Sequence, residues 1–477
     1  MAPAQASNAT RRLHWRAALA LFVATALGGC ASFSPDGGFA SVEQTARDRI
    51  GKDLRWSRTA ADQDVIEQRV AELLAKPLSA DDAVQVALLN NRGLQATFQD
   101  LGIGEAELVQ AGRLPNPGFS FGRSSRGDER EIDRGLHFNL ARLLALPSIG
   151  QMEARRFEQT KGMVAMSVLS LAADTRKAYY NALAAEETVR YMLQVRQAAD
   201  ASAELARRME QVGNFNKLQR AREQVFQADA LLNLARAEQA QRATRERLTR
   251  LLGAWGTQTQ FLLPERLPDL PKEVAALPDI ERVALAQRLD VQGARLATEQ
   301  TARNLGLTRT TRFINVLELG VLRNGSNEAP TQRGWEIGLE LPLFDWGGAR
   351  VARAEAIYMQ TLHRAAQIAI DARSEVREAY TGYRSAFDIA RHHRDEIVPL
   401  RQRIAEENLL RYNGMLIGVF ELLADARAQI LSVNNAIESL RDFWLAQADL
   451  DMALVGKPSL AMPGGPATTA EPGGAAH

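Results

Sequence analysis

The chain predicts a mostly helical fold with a small β part, built as a duplicated unit of helix, two strands, very long helix and returning helix. Three observations carry this. A pattern occurs twice at an offset of about 200 residues, too long for a short solenoid repeat. Two short stretches in each copy alternate apolar and polar residues with period two. The stretches that follow them are long, rich in Ala, Leu, Gln, Arg and Glu, and almost free of proline.

The duplication is specific. Val86-Ala87-Leu88 with Leu94-Gln95 returns as Val283-Ala284-Leu285 with Val291-Gln292. Gly150 with Ala154-Arg155 returns as Gly348 with Ala352-Arg353. Gly213 followed by Arg222-Glu223-Gln224 returns as Gly414 followed by Arg427-Ala428-Gln429, and Leu252-Gly253 returns as Val455-Gly456. The organisation read from this is repeat 1 over 79–253, a proline-rich linker over 254–278 with Pro264, Pro268, Pro271 and Pro278, and repeat 2 over 279–456. Two strands per repeat cannot close a sheet, and open edges invite pairing with further copies.

The N-terminus reads as a lipoprotein signal peptide over 1–29. Arg11, Arg12 and Arg16 precede the apolar stretch Ala17 to Leu27. It ends in Leu27-Gly28-Gly29-Cys30, which resembles the bacterial lipobox. Cys30 is the single cysteine, so an internal disulfide is excluded and lipidation of Cys30 is expected. Acyl chains on one Cys anchor a chain without spanning the bilayer. Ala31 and Ser32 follow, with no Asp beside the Cys. By resemblance to lipoprotein sorting, that favours the outer membrane.

Residues 30–78 read as a polar leader with one short amphipathic segment, Val65 to Lys76. Ser79 with Asp81 and Asp82 marks a helix start, a hydroxyl cap with acids at the positive end of the dipole. This helix is expected to run to about Gly112, where Leu114-Pro115-Asn116-Pro117 stops it. Strands are expected at about 118–124 and 134–141, with Ser124 to Arg134 as an exposed loop between them. In repeat 2 they fall at about 313–323 and 333–342. There Trp335, Ile337, Leu339 and Leu341 alternate with Glu336, Gly338, Glu340 and Pro342. One greasy and one carboxylate-bearing face fit a membrane barrel wall, with Glu336 and Glu340 toward the lumen. An ordinary half-buried sheet has the same alternation.

Pro147-Ser148-Ile149-Gly150 and Pro342-Leu343-Phe344-Asp345-Trp346-Gly347-Gly348 read as exits from the strands. The helices after them run to about Val212 and Asn413, with Pro399 the one interruption of the second. Some 60–65 residues make roughly 90–100 Å of helix, the scale of coiled coils. Seam spacing appears at Leu218, Ala221, Val225, Ala228, Leu232 and Ala235. It recurs at Leu422, Ala426, Gln429, Val433, Ala436, Leu440 and Phe443. From 457 the tail is Gly, Pro, Ala and Thr and reads as disordered.

Composition excludes several classes. Net charge is +1, from 58 basic and 57 acidic residues, which gives nucleic acid no basic surface. No mid-chain apolar run is long enough for a transmembrane helix. The six histidines are scattered; His392-His393 are neighbours pointing about 100° apart, unlike a chelating i, i+4 pair. Leu101-Gly102-Ile103-Gly104 lacks the preceding strand of a nucleotide loop. No enzyme, cofactor or resident metal is expected.

Together these residues resemble the TolC-like outer membrane factors, the outer-membrane efflux duct family, in its lipoprotein form. The resemblance covers about residues 79–456. It rests on the duplication, on Leu341-Pro342-Leu343-Phe344 with Gly348 and Arg350, and on the tip turn Arg411-Tyr412-Asn413-Gly414 with Glu421-Leu422-Leu423. It implies a homotrimer in which each protomer gives four strands to one shared transmembrane β-barrel, over a hollow coiled-coil α-barrel in the periplasm. It implies a passive conduit through the outer membrane, docked to a periplasmic adaptor and an inner-membrane pump. Gly213 and Gly414 would form the hairpin tips facing those partners. Glu421 and Asp425, i and i+4 on one face, would ring the constriction, and Tyr412 matches a tyrosine of the closed-state latch. The family arginine about five residues later is absent; Ile417 stands there. The run Tyr412 to Leu423 is similar to a branch associated with metal, including copper, resistance. The rival readings are a lipid-anchored periplasmic adaptor and a coiled-coil scaffold without a pore. An adaptor carries one hairpin between β-rich domains, whereas this chain carries two, with strands inside each repeat.

Overall fold

The structure is a computed structural model that describes residues 32–274, 276–311, 317–339 and 343–458. The segment read as a signal peptide, Cys30, Glu340 and the tail from 459 lie outside the described residues. The chain forms two compact units. One holds the residues up to Val42 with Thr97–Val164 and Gly293–Gln367; the other holds Glu43–Ala96, Ala165–Gln292 and Ile368 onward.

Helix α1 (Phe39–Ile50) and helix α2 (Ala60–Leu74) occupy the stretch read as a polar leader. Helix α2 starts with a capping box. The Thr59 hydroxyl accepts from the Asp62 N–H, and the Asp62 carboxylate accepts from the Thr59 N–H. Its buried stripe, Ile66, Val70 and Leu73, packs the leader into a core that its polar composition concealed.

Ser79 caps α3 (Ala80–Asn90), accepting from the Asp82 N–H at 3.0 Å. The single helix expected from here to Gly112 is in fact two. Asn91 turns to ψ 114° and its side chain accepts from the Leu94 N–H at 3.0 Å, which starts α4 (Arg92–Ala111). An Asn side chain that satisfies local backbone competes with the helix. The break also has a tertiary use. Asn90 Nδ2 donates to the carbonyls of Leu252 and Gly253 at 3.1 and 2.9 Å, and Asn91 Nδ2 to that of Leu251 at 3.0 Å. These carbonyls end helix α6 (Lys217–Leu252) and have no partner inside it. Repeat 2 solves the same problem with Arg288, between α7 (Ile280–Gln287) and α8 (Leu289–Thr311). Arg288 is fully buried, paired with Asp290 and Glu375 at 2.7 Å each, and reaches the Ala453 carbonyl.

The sheet is four-stranded and antiparallel in the order β1-β2-β3-β4. Strands β1 (Gly118–Arg126) and β2 (Glu129–Asn139) meet at a two-residue turn in which Gly127 has φ 62°. The segment Ser124 to Arg134, expected as a loop, is therefore paired strand, with Arg126 opposite Glu129. Its charged residues hid the period of two. Strands β3 (Leu317–Ser326) and β4 (Gln332–Leu339) form the second hairpin, and β2 pairs β3 across the repeats. Strands β1 and β4 leave the two edges open.

Helix α5 (Leu140–Gln211), 72 residues long, begins directly after β2. The Asn139 side chain accepts from the Arg142 N–H at 2.8 Å, so the helix starts seven residues before Pro147. Pro147 sits inside it rather than marking its start, because the Asn139 cap had already begun the helix. In repeat 2, α9 (Gly348–His392) passes through a π-helical turn, His393–Ile397, into α10 (Val398–Asn413). The wider turn relieves the clash of the Pro399 ring with the carbonyl four residues back. Helix α11 (Val419–Val455) returns.

In the second unit the helices bury Leu183, Leu248, Leu252, Phe261 and Phe443 completely, each contributing about 1.5–3 kcal/mol. The proline-rich linker is packed: Phe261, Leu267 and Leu270 are buried, and the Leu78 N–H donates to the Leu262 carbonyl at 2.8 Å. One expected seam faces elsewhere. On α6 the buried line is Glu223, Ala230, Leu234 and Ala237. Leu218 and Val225 are 61% and 60% exposed. Two stripes with coiled-coil spacing exist on this helix, and the described residues cover only one.

Candidate functional site

Directly opposed residues of a ladder share a face, and alternate residues along a strand point to opposite faces. The register therefore sorts the whole sheet. One face carries Phe119 and Phe121, Leu136 and Phe138, Leu317, Leu319 and Val321, and Trp335, Ile337 and Leu339. The other carries Ser120, Asp133, His137, Glu318 and Glu336 among glycines. In a water-soluble sheet the apolar face is the covered one. Here Phe119 is 67%, Trp335 70% and Ile337 56% exposed, while Gly135 and Gly320 on the polar face are buried. Both faces are open in the chain, and an apolar face displayed in this way is what a barrel wall turns to lipid.

On the polar face His137 and Glu336 lie on either side of Gly320. His137 Nδ1 is 3.4 Å from Glu336 Oε1, and its Nε2 is 2.9 Å from Ser120 Oγ. A Cβ on Gly320 would lie 2.6 Å from Glu336 Cγ, so glycine makes the room in which the carboxylate lies down. Hydroxyl, imidazole and carboxylate in this order also make a nucleophilic relay. Ser120 stands exposed on an edge strand, without walls to hold an acyl substrate. The three side chains form a polar network across β1, β2 and β4.

The two helical tips differ. After α5 the chain turns through Gly213, whose φ of 81° needs glycine. After α10, Gly414 has φ −80° and the left-handed residue is Met415, at φ 58°. Tyr412 is half-buried, and its carbonyl accepts from the Met415 N–H at 3.0 Å. Glu421 is exposed in the first turn of α11. Asp425 is half-buried, and its carboxylate accepts from Asn408 Nδ2 of α10. The pair thus divides: Asp425 ties α11 to α10, and Glu421 remains open to solvent.

Glu223, a residue with no assigned role in the sequence reading, is fully buried on α6. Its carboxylate accepts from Ser202 Oγ of α5 at 2.7 Å and from Arg427 Nη2 of α11 at 2.8 Å. The Arg427 guanidinium also lies 4.5 Å from the Phe226 ring centroid. One carboxylate therefore joins a helix of each repeat's tip pair. The signal was present in the duplication, where Arg222-Glu223 is matched by Arg427-Ala428: the repeats diverge at the position that links them.

No protein-family model matches the chain. The cobalt-zinc-cadmium resistance protein CzcC of Cupriavidus metallidurans is 24% identical over 279 residues, 57% of this chain and 64% of that protein. The match thus spans less than two thirds of that relative's length. Among solved structures, CusC superposes with a TM-score of 0.66 at 17% identity, covering 79% of this chain and 92% of CusC. The Campylobacter jejuni CmeC outer membrane channel gives 0.65 at 16%, covering 86% and 91%. The Neisseria gonorrhoeae MtrE outer membrane channel gives 0.65 at 18%, covering 79% and 89%.

The chain has the outer membrane factor fold. This disposes of the adaptor architecture, since the hairpins and strand pairs are arranged as in the channels. Among the described residues, the exposed apolar face, the open edges β1 and β4 and the uncovered stripe of α6 each lack a partner within the chain. Among the described residues no group of His, Cys, Asp and Glu is arranged to hold a metal ion. No helix among them is long and apolar enough to cross a membrane.

Proposed function

We propose that the chain is the outer-membrane duct of a tripartite efflux or export system: a passive conduit, assembled from three copies, that docks a periplasmic adaptor and an inner-membrane pump. The observation that carries this is the exposed apolar face of the sheet, which only lipid covers without further protein. Four strands are too few for a barrel, and copies joined β4 to β1 would remove both edges. The Leu218 and Val225 stripe of α6 would then meet a neighbouring copy. Cys30 would anchor the assembly by its acyl chains. His137, Glu318 and Glu336 would line the lumen, with Glu340 beyond them. Glu421, with Tyr412 and Gly414 beside it, would face the pore constriction, and Gly213 and Gly414 would present the docking tips.

Metal cations are the cargo this reading favours. CzcC is by name a metal resistance protein, and a carboxylate-lined lumen suits cations. The cargo would pass without a resident metal site.

Planar-bilayer conductance of the purified, lipidated protein, with its oligomer mass in the same detergent, tests the reading. Small cation-selective openings from a trimer are expected. A monomer without conductance would return the chain to a lipid-anchored scaffold without a pore.

A further inference from the structure

The charges of the sheet are segregated by face. The apolar face carries Arg123, Arg130, Arg134, Arg323 and Arg333 and no Asp or Glu; the polar face carries Glu129, Glu131, Asp133, Glu318 and Glu336 and one base, Arg126. Arg134, Arg323 and Arg333 oppose one another directly across three neighbouring strands, in the row Phe121, Arg134, Arg323, Arg333. Like charges directly opposite are destabilising, and among the described residues none of the five arginines has an ion pair. The row sits one pleat, about 7 Å, beyond the row Phe119, Leu136, Val321, Trp335, toward the hairpin turns and away from the helix junctions.

We propose that Arg134, Arg323 and Arg333, flanked by Arg123 and Arg130, form a binding site for the phosphates of an anionic lipid headgroup in the outer leaflet. This rests on the duct reading, which makes the hairpin turns the external end and the apolar face the lipid face. Charge complementarity then selects the occupant. A neighbouring copy cannot neutralise the row, because its own apolar face has no carboxylate. The acids of this sheet point to the other side of the wall. Guanidinium forks bind phosphate oxygens bidentately, and neighbouring strands lie about 4.8 Å apart. Three forks therefore span roughly 10 Å, enough for a headgroup with two phosphates. At the rim a lipid-facing Arg costs about 0–1 kcal/mol, far less than at the midplane, so an anion at that level makes the row favourable.

The test reconstitutes the full chain in phosphatidylcholine vesicles with and without a tenth of a diphosphorylated glycolipid. It reads the lipid retained on repurification, alongside the tryptophan emission to which Trp335, next to the row, contributes. The variant Arg134→Gln/Arg323→Gln/Arg333→Gln is compared with Arg126→Gln on the polar face. The expected result is at least tenfold weaker glycolipid retention in the triple variant, normal retention in Arg126→Gln, and no competition by millimolar inorganic phosphate. Equal retention in the triple variant overturns the site. Displacement of the glycolipid by free phosphate overturns the lipid assignment, and equal retention of phosphatidylcholine reduces the contact to the apolar band. A wild-type chain that inserts into neither vesicle sinks the duct reading instead, and that outcome is distinct because it does not depend on the arginines.

Discussion

Gly253 and Gly213 both adopt positive φ, 64° and 81°, yet they differ in what surrounds them. A Cβ on Gly253 would lie 2.7 Å from the Asn90 carbonyl, whereas one on Gly213 meets nothing within 4 Å. Gly253→Ala is therefore expected to cost about 3 kcal/mol or more, from the left-handed backbone and the forced separation of α3 from α6. Gly213→Ala should cost about 1–2 kcal/mol. Denaturant unfolding of the two variants checks the order, and equal costs would remove the contact from the explanation. Glu223 shows the matching rule for charge. Glu223→Ala leaves Arg427 without its buried partner and is expected to destabilise by about 2–3 kcal/mol, below the range for fully buried pairs because Arg427 is partly exposed. Adding Arg427→Met to Glu223→Met should recover most of that loss, as thermal melts in detergent would reveal.

The strand is the scale at which the proposed contact with lipid is tested. Ile337 and Glu336 are neighbours in β4 but belong to opposite faces. Ile337→Arg should cost about 2–4 kcal/mol of insertion free energy if it sits near the midplane, and Glu336→Arg should insert normally with altered ion selectivity. Equal insertion yields in lipid vesicles would contradict the assignment of faces. At the start of α3, Asp82 combines three effects. Partial burial pushes its carboxyl up. The Ser79 hydroxyl, donating at 2.8 Å, and Lys76 at 3.2 Å outweigh that, and its pKa lies below the ordinary 3.8. A lowered native pKa stabilises the fold above the unfolded value, and the contribution disappears as pH falls through the native one. Asp82→Asn should thus cost about 0.5–1 kcal/mol near neutrality, a cost that disappears as pH falls through the lowered pKa of the native carboxyl. A difference between the variants that persists below that pKa would exclude Asp82 as the source.

At the scale of the whole molecule, the proposed function rests on what the described residues of one chain leave uncovered: an apolar sheet face, two strand edges and one stripe of α6. Three copies would place three Glu421 carboxylates about one axis. Such a ring of carboxylates would attract cations. Glu421→Ala is expected to raise leak conductance and lower cation selectivity. Asp425→Ala should act mainly through the loss of its tie to Asn408, loosening the tip. Unchanged single-channel records in both variants and in the double variant would remove the tip acids from the gate.

Much of this architecture was legible in local chemistry. The Ser79 cap, the proline stop after α4, the period of two in β4 and the long helices are set by interactions within a few residues, so they can be read one segment at a time. The duplication showed that the units come in pairs. What only the tertiary structure decided depends on residues far apart. Asn91 breaks a helix because the end of α6 needs donors there. The charged stretch Ser124 to Arg134 is strand because its partners across the ladder complete the pleat. The seam on α6 that faces inward is the one holding Glu223, because Ser202 and Arg427 satisfy that carboxylate. Alternation within β2 already places Arg134 on the face of Phe138, but the row of Arg134, Arg323 and Arg333 exists only through the register, because pairing spans the two repeats.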